Sequence, residues 1–117
     1  MAYVDGFLVP VPTARKDDYI AFSKKWGPFF KELGALEIYE CWGDDVPEGK
    51  VTDFARSVAL KDDETVVFSW TVWPDKDTRN AAWAKMMEDD TPPDDMPFDG
   101  KRMIFGGFDP VVVMERG

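Results

Sequence analysis

The chain has 117 residues, with 23 acidic against 14 basic side chains and a formal net charge of −9. That length fits one domain spanning 1–117 with room for a real core, and that charge repels phosphate backbones and anionic bilayers, so neither nucleic acid nor a membrane is expected as a partner. There is no histidine and only one cysteine, Cys41, which removes Ser-His-Asp and Cys-His nucleophiles, histidine-held zinc, non-haem iron or haem, internal disulfides and thiolate clusters.

No cofactor or metal is therefore expected. A general base would have to be a carboxylate, a lysine, a tyrosine or Cys41. The start, Met1 to Gly6, lacks the basic residues and long apolar stretch of a secretory signal, and no apolar run is long enough to span a bilayer. A cytoplasmic protein is expected.

In chain order, Tyr3 to Val11 reads as a first strand closed by Pro10 and Pro12. A helix follows from about Thr13, with Asp17 and Asp18 suited to the positive end of its dipole. Tyr19, Phe22, Trp26, Phe29, Phe30 and Leu33 fall at helical spacing, and Gly34 is a natural stop. Gly27-Pro28 inside that stretch predicts a kink or local break at Trp26. Leu36 to Trp42 reads as the second strand, and 43–49 as loop. Val51 to Leu60 is ambiguous, with a short edge strand as one reading. Thr65 to Trp73 is the clearest strand. Pro74-Asp75 opens a second helix with Asp75 as N-cap, apolar through Ala82, Trp83, Met86 and Met87, ending near 88–90. The Pro-rich stretch 91–97 cannot be regular structure. Met103 to Met114 reads as the last strand.

The order β-α-β-β-α-β is that of a ferredoxin-like α+β domain, a four-stranded antiparallel sheet with both helices on one face. Three of the strands look apolar on both sides. Two helices cannot shield such a sheet, so a second copy is expected to cover the other face, giving a homodimeric α/β barrel. The Val66, Phe68, Trp70, Val72 row is assigned to the core beneath the helices. Ser69, Thr71 and Trp73, with Tyr39 and Cys41, are assigned to the second face, where two copies would enclose a cavity for a small ligand.

Candidate residues follow from that picture. Trp26, Trp42 and Trp73 sit at element ends or beside breakers and suit a pocket wall, whereas Trp70 and Trp83 are at core spacing. Arg56, Arg79, Lys101 and Arg102 are the cations placed to meet an anionic ligand, with surface ion pairing as the plainer role. Cys41, lacking a histidine to activate it, fits a small buried hydrophobe as well as a thiol nucleophile. The acidic groups at 44–48, 62–64, 88–90 and 94–95 lack EF-hand spacing and read as solvated loops. The segment Met96 to Met103, with Asp99, Lys101 and Arg102, would close a cavity mouth or pin the dimer.

Glu40-Cys41-Trp42-Gly43-Asp44-Asp45-Val46-Pro47, Val66-Val67-Phe68-Ser69-Trp70 and Met96-Pro97-Phe98-Asp99-Gly100-Lys101-Arg102-Met103-Ile104 with Gly106-Gly107-Phe108 resemble the YbaA-like family of bacterial proteins, as does the opening Tyr3-Val4-Asp5-Gly6-Phe7. The resemblance spans the chain. It implies a dimeric α/β-barrel fold and supplies no catalytic residues, because the family is one of unknown function. Three readings stand. The first is a homodimer binding a small aromatic or apolar metabolite, with Trp26, Tyr39, Cys41, Trp42, Arg56, Trp73, Asp99, Lys101 and Arg102 as the binding set. The second is a cofactor-free enzyme of monooxygenase or isomerase type with Asp44, Asp99, Tyr39 or Cys41 as base. The third is a partner-binding module using the loops at 44–48 and 94–102.

Overall fold

The two longest strands, β1 (Tyr3–Pro12) and β3 (Glu64–Trp73), lie side by side in the middle of the sheet. The shorter β2 (Glu37–Trp42) and β4 (Ile104–Phe108) flank them, giving the order β2-β3-β1-β4 with every pair antiparallel. This computed structural model describes residues 2–88 and 96–116. Three helices connect the strands: α1 (Lys16–Glu32), entered through a 3-10 turn at Thr13–Arg15, the single turn α2 (Phe54–Ser57), and α3 (Lys76–Glu88). The architecture is the ferredoxin-like α+β arrangement.

Local chemistry explains the boundaries. Asp17 and Asp18 occupy the first turn of α1, where negative charge meets the unpaired N–H groups. Gly34 closes the helix at φ 115, and a Cβ there would lie 2.6 Å from the Thr78 methyl, so glycine is required twice over. Pro28 does not break α1, which continues to Glu32. Asp75 Oδ1 accepts from the Thr78 N–H at 2.7 Å and caps α3 as its sequence predicts. Asp53 does the same for α2, accepting from the Arg56 N–H at 2.7 Å. That cap makes 54–57 helical where an edge strand was one reading.

The last strand is shorter than its sequence suggests. It pairs with β1 only from Ile104 to Phe108, where Phe108 meets Val4. β1 begins one residue further on, at Tyr3, and Pro110 has no N–H to offer. Val111 to Met114 are consequently exposed rather than paired. The Pro-rich residues 91–95 lie outside the described residues.

The assignment of the two sheet faces is reversed from expectation. Val67, Ser69, Thr71 and Trp73 are the buried row, pairing with Val9, Phe7, Asp5 and Tyr3 of β1 beneath α1 and α3. Phe68 and Trp70 point the other way, and Phe68 is 45% exposed. Both rows are apolar enough for burial, so hydrophobicity could not separate them. The small hydroxyls of Ser69 and Thr71 belong inside because they leave room there. Two core clusters result. Val9, Val11, Tyr19 and Val67 pack with Phe7, Trp42, Phe98 and Met103. Ala35, Trp73 and Ala82 pack with Tyr3, Phe30, Leu33, Ile38 and Met86.

Candidate functional site

Between those clusters the helices do not fully meet the sheet. A cavity of about 170 Å³ remains. β1 contributes Asp5, Phe7 and Val9 to its floor, β2 contributes Ile38 and Glu40, and β3 contributes Ser69, Thr71 and Trp73. Tyr19, Phe22, Ser23, Trp26, Gly27 and Phe30 of α1 form the roof, with Trp83, Phe98 and Met103 at the sides. Phe98 is held edge-on to Tyr19 and Phe22, with centroids 5.9 and 5.6 Å apart. Arg102 anchors its segment by donating to Glu64 at 2.7 and 2.6 Å, to Asp99 at 2.8 Å and to the Ala59 carbonyl at 3.0 Å.

Two carboxylates stand on this floor in different states. Asp5 is 1% exposed. It accepts from Arg79 Nη2 at 2.8 Å and from the indole N–H groups of Trp73 and Trp83, both at 2.9 Å. The hydrogen bond to Asp5 raises the Arg79 pKa further, so the guanidinium stays charged, sandwiched 5.4 Å from the Tyr3 and Trp83 rings. Every acceptor position of Asp5 that matters is filled.

Glu40 accepts from the Tyr19 hydroxyl at 2.8 Å and from Ser69, and Ser23 in turn donates to Tyr19. Among the described residues no lysine or arginine forms an ion pair with it. Glu40 is exposed as a residue, yet packing around its carboxyl raises its pKa, and the bonds from Tyr19 and Ser69 offset this only in part. Burial, then the negative charge of Glu40, pushes the Tyr19 phenol well above its usual value. Tyr19 is thereby kept as a hydrogen-bond donor to Glu40.

On the far side of Glu40 lies a more open hollow of about 460 Å³ between α1 and β2. It shares Tyr19, Ser23, Gly27, Ile38 and Glu40 with the inner cavity and adds Lys16, Ile20, Lys24, Pro28, Lys31, Trp42 and Val67. The opposite sheet face is left uncovered by α1 and α3, and only the short α2 reaches it, through Phe54. Tyr39 stacks on Trp70 there at 4.7 Å and 8°, with Phe68 edge-on to Trp70 and Phe54 against Phe68. A shallow hollow of about 280 Å³ lies beside them, floored by Gly6 and Gly106 and walled by Leu8, Phe68, Ile104 and Phe108.

Residues 2–100 match a family described as a protein of unknown function, DUF1428. The chain belongs to that family. It is 53% identical over 115 residues to the uncharacterized protein YbaA of Escherichia coli strain K12, a match covering 96% of this chain and 98% of that one. The protein of the same name from Shigella flexneri matches to the same extent. The YbaA-like resemblance carried by the Glu40 and Met96 blocks is therefore correct. The fold is similar to the crystal structure of a dimeric ferredoxin-like protein from an uncultured marine organism, at TM-score 0.55 and 14% identity over 99% of this chain and 100% of that one. At that identity the likeness concerns the fold alone.

In this DUF1428 protein the residues singled out from sequence are dispersed. Trp26 and Trp73 line the inner cavity, and Trp42 lines the outer hollow with Lys16 5.5 Å above its ring. Tyr39 and Cys41 lie on the open face, away from both. Arg56 is engaged with Glu48 and Asp53 at 3.4 and 3.5 Å. Asp99 and Arg102 bind each other, and Lys101 is an exposed turn residue whose backbone N–H bonds Asp99. None of these last four lines the cavity. Asp44, one of the suggested bases, is an exposed loop residue. A cavity beneath the helices, which the sequence did not suggest, lies apart from the open face where two copies would enclose one. Sequence reasoning missed Asp5, Ser23 and Glu40, kept Tyr19 and Trp83 as core residues, and put Arg79 among the cations for an anionic ligand with surface ion pairing as the plainer role. The available signal was an acid embedded in an apolar strand, twice: Asp5 in Tyr3–Leu8 and Glu40 in Ile38–Trp42. Among the described residues no group of three or more acidic or cysteine side chains is arranged to hold a metal ion.

Proposed function

We propose that this protein binds a small aromatic or compact apolar molecule in the cavity beneath its helices. The observation that carries the reading is the hollow of about 170 Å³, walled by aromatic rings, with the Glu40–Tyr19 pair at its outer end. An apolar cavity of roughly 150 Å³ accommodates benzene, so the occupant is about one ring in size. A neutral polar group on it, such as a phenol hydroxyl, meets Glu40 and Tyr19, which fix orientation while the rings supply contact area. Titration with phenol, followed by the emission of the cavity tryptophans Trp26, Trp73 and Trp83, tests this. A saturable change is expected. A linear, non-saturating response through the millimolar range contradicts it.

Two copies pair through their open sheet faces in this reading. Contiguous exposed apolar surface of the kind formed by Tyr39, Phe54, Phe68, Ile104 and Phe108, with half-buried Trp70 among them, marks an interface more often than bare surface, and the protein of similar fold is described as dimeric. Sedimentation should give a dimer for the native chain and a folded monomer for the F68E/W70E variant. A native monomer contradicts the pairing. The location is cytoplasmic; among the described residues no helix is long and apolar enough to cross a membrane.

The raised pKa of Glu40 favours a second reading, a cofactor-free enzyme. Glu40 would be its base, in place of Asp44, Asp99, Tyr39 or Cys41, none of which lines the cavity. Solvent-deuterium exchange into a ring-sized carbon acid, present in the native protein and absent in E40Q, supports that reading; no exchange in either contradicts it.

A further inference from the structure

Helix α1 turns two neighbouring stripes toward the sheet. Tyr19, Trp26 and Phe30 roof the inner cavity, while Lys16, Lys24 and Lys31 line the outer hollow against β2. Gly27 belongs to both walls. A glycine in a helix interior weakens the helix relative to alanine. Here nothing in the fold demands it. Its φ is not positive, and a Cβ at that position would meet no heavy atom within 4 Å. The space that Gly27 leaves open is used by no other part of the described chain.

The charge beside that opening runs against the rest of the molecule. The chain carries a formal net charge of −9, yet the outer hollow has three lysines against one carboxylate, Glu40. Lys16 lies over the Trp42 ring. Lys24 and Lys31 have no ion-pair partner among the described residues. Ammonium groups on a partly open rim attract anions without the cost of burying a charge, and they act chiefly on association rate and salt dependence.

The geometry points to Gly27 as the gate between the two hollows and to a single-ring aromatic carboxylate as the ligand, its ring in the cavity and its carboxylate left outside at Lys24 and Lys31. This deepens the binding function proposed above and rests on it. An anion of that shape uses both hollows, whereas a neutral ring uses only the inner one.

The experiment compares benzoate with phenol by stopped-flow tryptophan fluorescence at low ionic strength. Benzoate is expected to bind roughly ten-fold more tightly than phenol, and K24Q/K31Q to remove that advantage while leaving phenol unchanged. G27L is expected to slow association of both probes about ten-fold or more. G27A keeps the fold in hand as a control: it raises the thermal midpoint by about 3 °C, because it strengthens the helix, and slows association less than G27L. If phenol binds but benzoate is no tighter, or K24Q/K31Q is without effect, or G27L associates at the native rate, this inference falls and the cavity reading stands. If neither probe binds, both fall.

Discussion

Asp5 and Glu40 are acids on the same sheet face, two strands apart, at opposite ends of one cavity. Asp5 has a guanidinium and two indole donors around it. Glu40 has hydroxyl donors alone and no cation. A buried carboxylate whose charge is fully matched is a structural joint, holding β1, β3 and α3 together. A carboxyl left short of positive charge, beside an opening, keeps the capacity to bind something else. The contrast puts the proposed binding at the Glu40 end and stability at the Asp5 end.

Removing the joint should have the largest effect. D5A strands Arg79 and two indole N–H groups, and loss of one partner from a buried pair costs about 3–5 kcal/mol. Denaturant unfolding measures it, and a loss under about 1 kcal/mol would mean that Asp5 and Arg79 are solvated rather than locked. Y19F is intermediate. It deletes one hydrogen bond to Glu40 and should cost about 1 kcal/mol while weakening phenol binding. Equal affinity in Y19F and the native protein would remove Tyr19 from the site.

E40Q should change stability least, and with a distinctive sign. The folded pKa of Glu40 is raised, so its contribution is fully present below the unfolded value and is lost as pH rises through the folded one. Glutamine cannot ionise. E40Q should therefore gain on the native protein as pH rises above the ordinary carboxylate range, by a small amount because Glu40 is partly open to solvent. Glu64 has the opposite dependence: Arg102 holds its pKa down, so its contribution is lost as pH falls. If E40Q instead loses stability with rising pH, Glu40 is a matched carboxylate like Asp5 and the distinction fails.

Much of the fold was legible in the residues themselves. The Tyr19-to-Leu33 stripe, the Gly34 stop, the Asp75 cap and the Glu64–Trp73 strand each carry strong local signals. Those signals also set the element order, with which the family blocks agree. The two faces of β3 were not legible, because Val66, Phe68, Trp70 and Val72 are as apolar as the row that is buried. Only strand pairing resolves them, by setting Asp5 opposite Thr71 and Glu40 opposite Ser69. Those four polar residues share the inner face, and no local pattern brings them together. The misplaced end of β4 has the same origin: Val111 to Met114 look like a strand but have no β1 residue left to pair with. The cations failed as a guide because Arg79, Arg56 and Arg102 are occupied by acids that are distant in sequence or hidden in turns.

The most direct test of the account is a crystal structure of the protein equilibrated with phenol. The account predicts ring density between Trp26 and Met103, beneath α1, with the hydroxyl directed to Glu40 and Tyr19. A cavity closed by repacked side chains, or phenol bound solely on the open sheet face beside Phe68 and Trp70, would contradict it.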